Sequence, residues 1–173
     1  MKKSICLLAL LIAVMLVGCQ QKTSQADVKK TEATLYNSDM TMNQDVVPEA
    51  VDTYSKYVED NPNAADAPDV LLKAIEVSVF SGQDASKSIE LVNKLATAYP
   101  NHENTPAALS MLASYVYDQQ LHDMNKARAT YERVIKDYPD TQWATDARIL
   151  VEMIGMSDDE MLEKIKLQSG EAE

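Results

Sequence analysis

The chain has 173 residues and a formal net charge of −11, long enough for one cored domain and too acidic to favour nucleic acid or anionic headgroups as partners. Glycine is scarce, at 4 residues, while alanine, leucine, lysine, glutamate and methionine are plentiful, the make-up of an all-helical domain.

From the N-terminus, Met1-Lys2-Lys3 is a short basic start before the apolar run "SICLLALLIAVMLVG". Such a run engages a secretion channel but is short and poorly flanked for a permanent span. It ends in Leu16-Val17-Gly18-Cys19, which resembles the lipobox of bacterial lipoproteins. That resemblance implies cleavage before Cys19, a diacylglyceryl group on its thiol and an N-acyl chain on the freed amine. Two or more acyl chains anchor a protein durably, at about 0.8 kcal/mol per buried methylene. Gln20 stands where many Gram-negative lipoproteins carry an inner-membrane retention aspartate, so the same resemblance implies the outer membrane. Cys6 lies inside the removed peptide, which leaves no thiol for a disulfide. Loss of Lys2 and Lys3 leaves 14 basic against 27 acidic side chains, a formal charge of −13.

Residues 20–45 are polar and lack sustained periodicity; they read as a tether spanning roughly 25–30 Å, with a short helix around Asp27–Tyr36. Three segments of one plan follow, aligned on Pro62, Pro100 and Pro139 at a period of 38 and then 39 residues. Twelve positions before each proline stands a small residue, Ala50, Ser88 or Ala127, and eight before it a bulkier one, Tyr54, Val92 or Tyr131. Tyr57-Val58, Leu95-Ala96 and Val134-Ile135 complete one apolar helix face. Each proline ends its helix by pushing the preceding residue out of the α region. Six helices are expected at about 46–60, 66–80, 84–98, 105–119, 123–137 and 143–154, and a seventh at about 158–168. Asp66, Thr105, Asp84 and Asp123 are the expected N-caps, Gly82 closes the second helix, and Ser157–Glu160 forms a capping box.

This plan resembles the tetratricopeptide repeat, with Ala127, Tyr131, Val134 and Pro139 the best match and Tyr117 the aromatic of the preceding helix if one residue is inserted before Ala127. The first copy lacks a recognisable leading helix. "YERVIKDYPDTQWATDA" is similar to repeats of outer-membrane assembly lipoproteins and periplasmic cell-division coordinators. The resemblance implies an all-α, right-handed stack of antiparallel helix pairs, about three repeats and a C-terminal capping helix. The chain thus divides into a signal peptide at 1–18, a lipidated cysteine and tether at 19–45, a repeat domain at 46–168 and a disordered tail at 169–173.

Leu71, Ala74, Ile75 and Val79, and Leu109, Leu112, Ala113 and Val116, are expected core stripes. The concave face is expected to carry Lys73, Val77 and Phe80, then Met111, Tyr115 and Asp118, then Ile149, Met153 and Met156. The last three should be covered by Met161, Leu162 and Ile165, leaving Phe80, Met111 and Tyr115 to floor a groove for a partner peptide or helix. His102 and His122 fall in connecting segments, and no nucleophile motif, phosphate loop or metal-ligand spacing is present. Apart from the acyl chains, no cofactor, metal or catalytic residue is expected. The reading is a membrane-anchored scaffold or adaptor for protein partners in the cell envelope, facing the periplasm and serving outer-membrane assembly or envelope maintenance. A pilotin-like chaperone of a secretin and a nutrient-binding envelope lipoprotein are the open alternatives.

Overall fold

A computed structural model describes residues 22–169. The expected signal peptide, Cys19 and the end of the tail lie outside the described residues. The elements are α1 (Gln25–Leu35), α2 (Val47–Asp60), α3 (Ala67–Ser81), α4 (Ala85–Ala98), α5 (Thr105–Met111), α6 (Met124–Asp137), α7 (Gln142–Met153) and α8 (Asp158–Ser169). A π-helical segment, Leu112–Gln120, continues α5 without a break. Among the described residues the fold is all-helical apart from an isolated bridge between Tyr36 and Met42. It is a tetratricopeptide-like stack, in which α1 pairs with α2, α3 with α4, and α5 with its extension against α6, while α7 packs on α6.

The first pair is a correction. The short helix expected around Asp27–Tyr36 is present as α1, but it is not part of a tether: its Val28, Thr31 and Leu35 are buried against the body. The first repeat therefore has its leading helix. Ser24 and Asp27 close a capping box that starts it: the Ser24 amide and hydroxyl donate to Asp27 Oδ2 at 2.8 and 2.7 Å.

The repeat plan appears in the backbone as three near-identical helix ends. Asn61, Tyr99 and Tyr138, each just before a proline, have φ/ψ of −135/53, −132/55 and −133/50. Each donates its N–H to a carbonyl four residues back, and proline forbids a further helical turn. The same three residues reach back about one period, Asn61 to the chain entering α1 and Tyr99 and Tyr138 to the repeat before their own. Asn61 Nδ2 donates to the Thr23 carbonyl at 2.9 Å, Tyr99 Oη to the Pro62 carbonyl at 2.9 Å, and Tyr138 Oη to the Pro100 carbonyl at 3.0 Å. At the other edge Gln83 Nε2 donates to the Gln44 carbonyl at 3.1 Å, and Gln120 Nε2 to that of Gly82 at 2.8 Å. Sequence separations of 37 to 39 in these bonds repeat the period of the sequence.

Between these edges lies one continuous core. Ala50, Tyr54, Val92, Ala127, Tyr131 and Val134 are buried, Ser88 is buried with its hydroxyl 2.8 Å from that of Ser78, and both expected core stripes are buried in full. Burial pushes the Tyr54 hydroxyl up to about 12.

Two expected caps are reassigned. Thr105 is fully buried and donates its hydroxyl to the Tyr99 carbonyl at 2.9 Å rather than capping its own helix. Asp66 accepts instead from Tyr57 Oη at 2.8 Å. Both side chains thus secure the loop that crosses from one repeat to the next. Asp84 and Asp123 cap as expected, accepting from the amides of Lys87 and Lys126 at 3.0 Å. Gly82, at φ 65, closes α3 in the left-handed region that suits glycine.

The π-helical segment explains the extra residue of the third repeat. From Ala67 to Ser81 the leading helix has 15 residues, whereas Thr105 to Gln120 spans 16. Two residues then precede the capping aspartate in both cases. The surplus residue is therefore inside the helix, taken up by wide turns such as the 2.9 Å bond from the Leu121 amide to the Val116 carbonyl. Just before and within it, Ser110 and Ser114 donate their hydroxyls to the carbonyls of Pro106 and Ser110, competing with regular α-helical bonding.

Candidate functional site

A cleft of about 640 Å³ lies between α1, the segment after it, and α3. Its floor is Tyr54 and Val77, both buried, and its walls are Leu35, Tyr36, Met42, Lys73, Glu76 and Phe80. Lys73 forms an ion pair with Glu32 at one side, while exposed Glu76 has no cation partner among the described residues. At the rim Phe80 meets Tyr115 edge-on, with ring centroids 5.3 Å apart and planes at 79°. These rings remain 53% and 43% exposed, and Tyr36 nearby is 51% exposed. An aromatic pair of this geometry contributes about 0.5–1.5 kcal/mol beyond area burial, so the two rings stabilise each other without being covered.

The expected groove residues are therefore not one surface. Lys73, Val77 and Phe80 share the cleft, although Val77 is core at its base. Met111 is partly buried against the core, and Tyr115 extends the rim. Asp118 lies apart, in a second cleft with Met124, Tyr131, Leu150, Met153, Met156 and Met161. The physical reason is the π-helical winding. Offsets that put Tyr115 and Asp118 on one face of an α-helix do not hold where turns are wider.

In that second cleft the terminal helix covers less than expected. Met153, Met156 and Met161 share the space, and Lys164 pairs with Glu152 at 2.8 Å. Ile149 and Leu162, however, stay 49% and 52% exposed, so this cover is partial. The Ile165 side chain lies outside the described residues.

Sequence reasoning missed the first wall of the main cleft. Leu35 and Tyr36 close the expected short helix and Met42 lies beyond it, in "TLYNSDMTM", whose apolar residues show no sustained period that would fold the segment onto the repeats. The available signal was the capping box at Ser24-x-x-Asp27.

The histidines do not converge. His102 Nε2 is 3.3 Å from Asp69 Oδ1, whereas His122 occupies a turn at φ 52. No group of His, Cys, Asp or Glu among the described residues could hold a metal ion, and no helix among them is long and apolar enough to cross a membrane. A smaller cleft of about 390 Å³, around Val47, Val51 and Ser78, presents no aromatic rim.

No curated protein matches the chain. The family model YfiO, outer membrane lipoprotein, matches residues 28–158. That span begins at the first buried residue of α1 and ends where α8 starts, so it takes in all three helix pairs and α7. With three-quarters of its length inside the match, the chain belongs to the YfiO family of outer membrane lipoproteins.

Proposed function

We propose that the protein is a lipid-anchored adaptor of the cell envelope, held by acyl chains on Cys19, which captures a segment of a protein partner on the concave face of its repeats. Its place is the periplasmic side of the outer membrane, in outer-membrane assembly or envelope maintenance. The observation that carries this reading is the Phe80–Tyr115 pair. Two aromatic rings pack edge-on yet stay about half exposed, beside a cleft whose floor is core. Leaving apolar area in water forgoes about 25 cal/mol per Å², and a partner that covers the rim recovers it. The cleft beside the pair has the concavity and apolar floor of a peptide site.

Combined Phe80→Ser and Tyr115→Ser substitutions are expected to leave helicity unchanged, because neither ring is core. The same change should sharply reduce the partner recovered by crosslinking intact envelopes. Global unfolding of the double variant, seen by circular dichroism, would assign the rings to the core and remove the basis of the site. Growth with labelled palmitate tests the anchor separately, with a Cys19→Ser variant as the unlabelled control.

A further inference from the structure

We propose that the edge of the stack carrying Asp60, Asn61 and Pro62 faces the membrane at close range, because the leash between the anchor and the folded body is only a few residues long. This inference rests on the lipid-anchor reading above and adds to it the orientation of the domain.

The chain is already fixed to the body at Thr23. Its amide donates to Asp60 Oδ2 at 2.8 Å, and its carbonyl accepts from Asn61 Nδ2 at 2.9 Å. Lys22 Nζ donates to the Asp60 carbonyl at 3.1 Å. The Ser24–Asp27 capping box and buried Val28 follow directly, so the attachment is continuous with a packed helix. Only Gln20, Gln21 and Lys22 separate Cys19 from Thr23. Four residue steps reach at most about 14 Å even when fully extended. The longer leash that a 20–45 tether would supply is not there.

That geometry makes the bilayer surface a neighbour of one particular edge. Thr23 sits where α2 ends and the loop to α3 begins, so Pro62 and Asn63 stay close to the headgroups however the body pivots. The aromatic rim lies at the other end of α3. Phe80 is thirteen residues beyond Ala67, about 20 Å along the helix axis. The cleft is thus carried at a short, limited height above the membrane, suited to a partner segment that itself lies close to the lipid.

The test uses the lipidated full-length protein in phosphatidylcholine vesicles containing a headgroup-labelled acceptor lipid. Donor dye is placed on Asn63→Cys at the near edge or Gln119→Cys at the far edge. Energy transfer should be several-fold greater from position 63. Inserting about twenty glycine and serine residues between Gln20 and Gln21, a leash of roughly 25 Å root-mean-square, should erase most of that difference. Equal transfer from both positions, or indifference to the insertion, would overturn the short leash while leaving the anchor in place. Failure of the unlabelled wild-type protein to carry acyl chains or to join the vesicles would instead defeat the anchor reading, and this inference with it.

Discussion

Asp60 shows how much one surface carboxylate can organise. It accepts the Thr23 amide, pairs with Lys56 at 3.3 Å, and lends its backbone carbonyl to Lys22. The Thr23 N–H, foremost, holds its carboxyl below the usual aspartate range. A depressed folded value means that the contact is complete above the ordinary aspartate pKa and is lost as pH falls through the lowered one. The Thr23 amide resonance is therefore expected to stay constant from neutral pH down through the ordinary aspartate range and to move only in stronger acid. In Asp60→Ala it should sit at its released position throughout. A Thr23 shift that titrates at the unperturbed aspartate value would show the contact to be absent in solution. Being solvent-accessible, the group is a local latch and not a determinant of global stability.

Among the elements, the π-helical segment and the terminal helix carry separable expectations. The segment Leu112–Gln120 contains one residue more than its counterpart in α3, so it can lose one. Deleting exposed Gln119 is expected to restore α-helical winding with little change in melting temperature. Deleting Glu76 from α3, which has no spare residue, should shift Val77 and Val79 off the core and unfold the protein. Equal damage from both deletions, measured by thermal circular dichroism, would refute the accommodation. The helices at the two ends differ in the same physical sense. α1 buries Val28, Thr31 and Leu35, whereas the described contacts of α8 are centred on Met161 and the exposed Lys164–Glu152 pair. Removing residues 158–173 should cost only a few degrees of melting temperature. Removing α1 should expose the first repeat and cost several times more.

At the scale of the whole molecule, a stack of this kind is stable through contacts between neighbours. The two edge ladders show how neighbours are set. One side chain per repeat reaches back one period, through Asn61, Tyr99 and Tyr138 on one edge and Gln83 and Gln120 on the other. These fix the translation between repeats, while the buried Ala, Leu and Val stripes supply the driving force. The polar outer face of α1 closes one end, consistent with a terminal repeat. The other end keeps Trp143, Ile149, Leu150 and Leu162 partly bare despite α8.

Much of this architecture was written in local pattern. Prolines at a fixed period, with small and bulky residues at set distances before them, determine helix ends and buried faces through short-range sterics and amphipathic spacing, and Ala50, Tyr54, Val92 and Tyr131 are buried accordingly. Local pattern marked a short helix where α1 lies but not its docking, because two aliphatic residues and a threonine make too weak a stripe to read as a buried face until α2 is present to cover them. Nor could it show that Tyr115 turns to Phe80 while Asp118 turns away. That depends on where a helix accommodates one surplus residue, and the backbone decides it only when both flanks are held by packing against neighbouring helices.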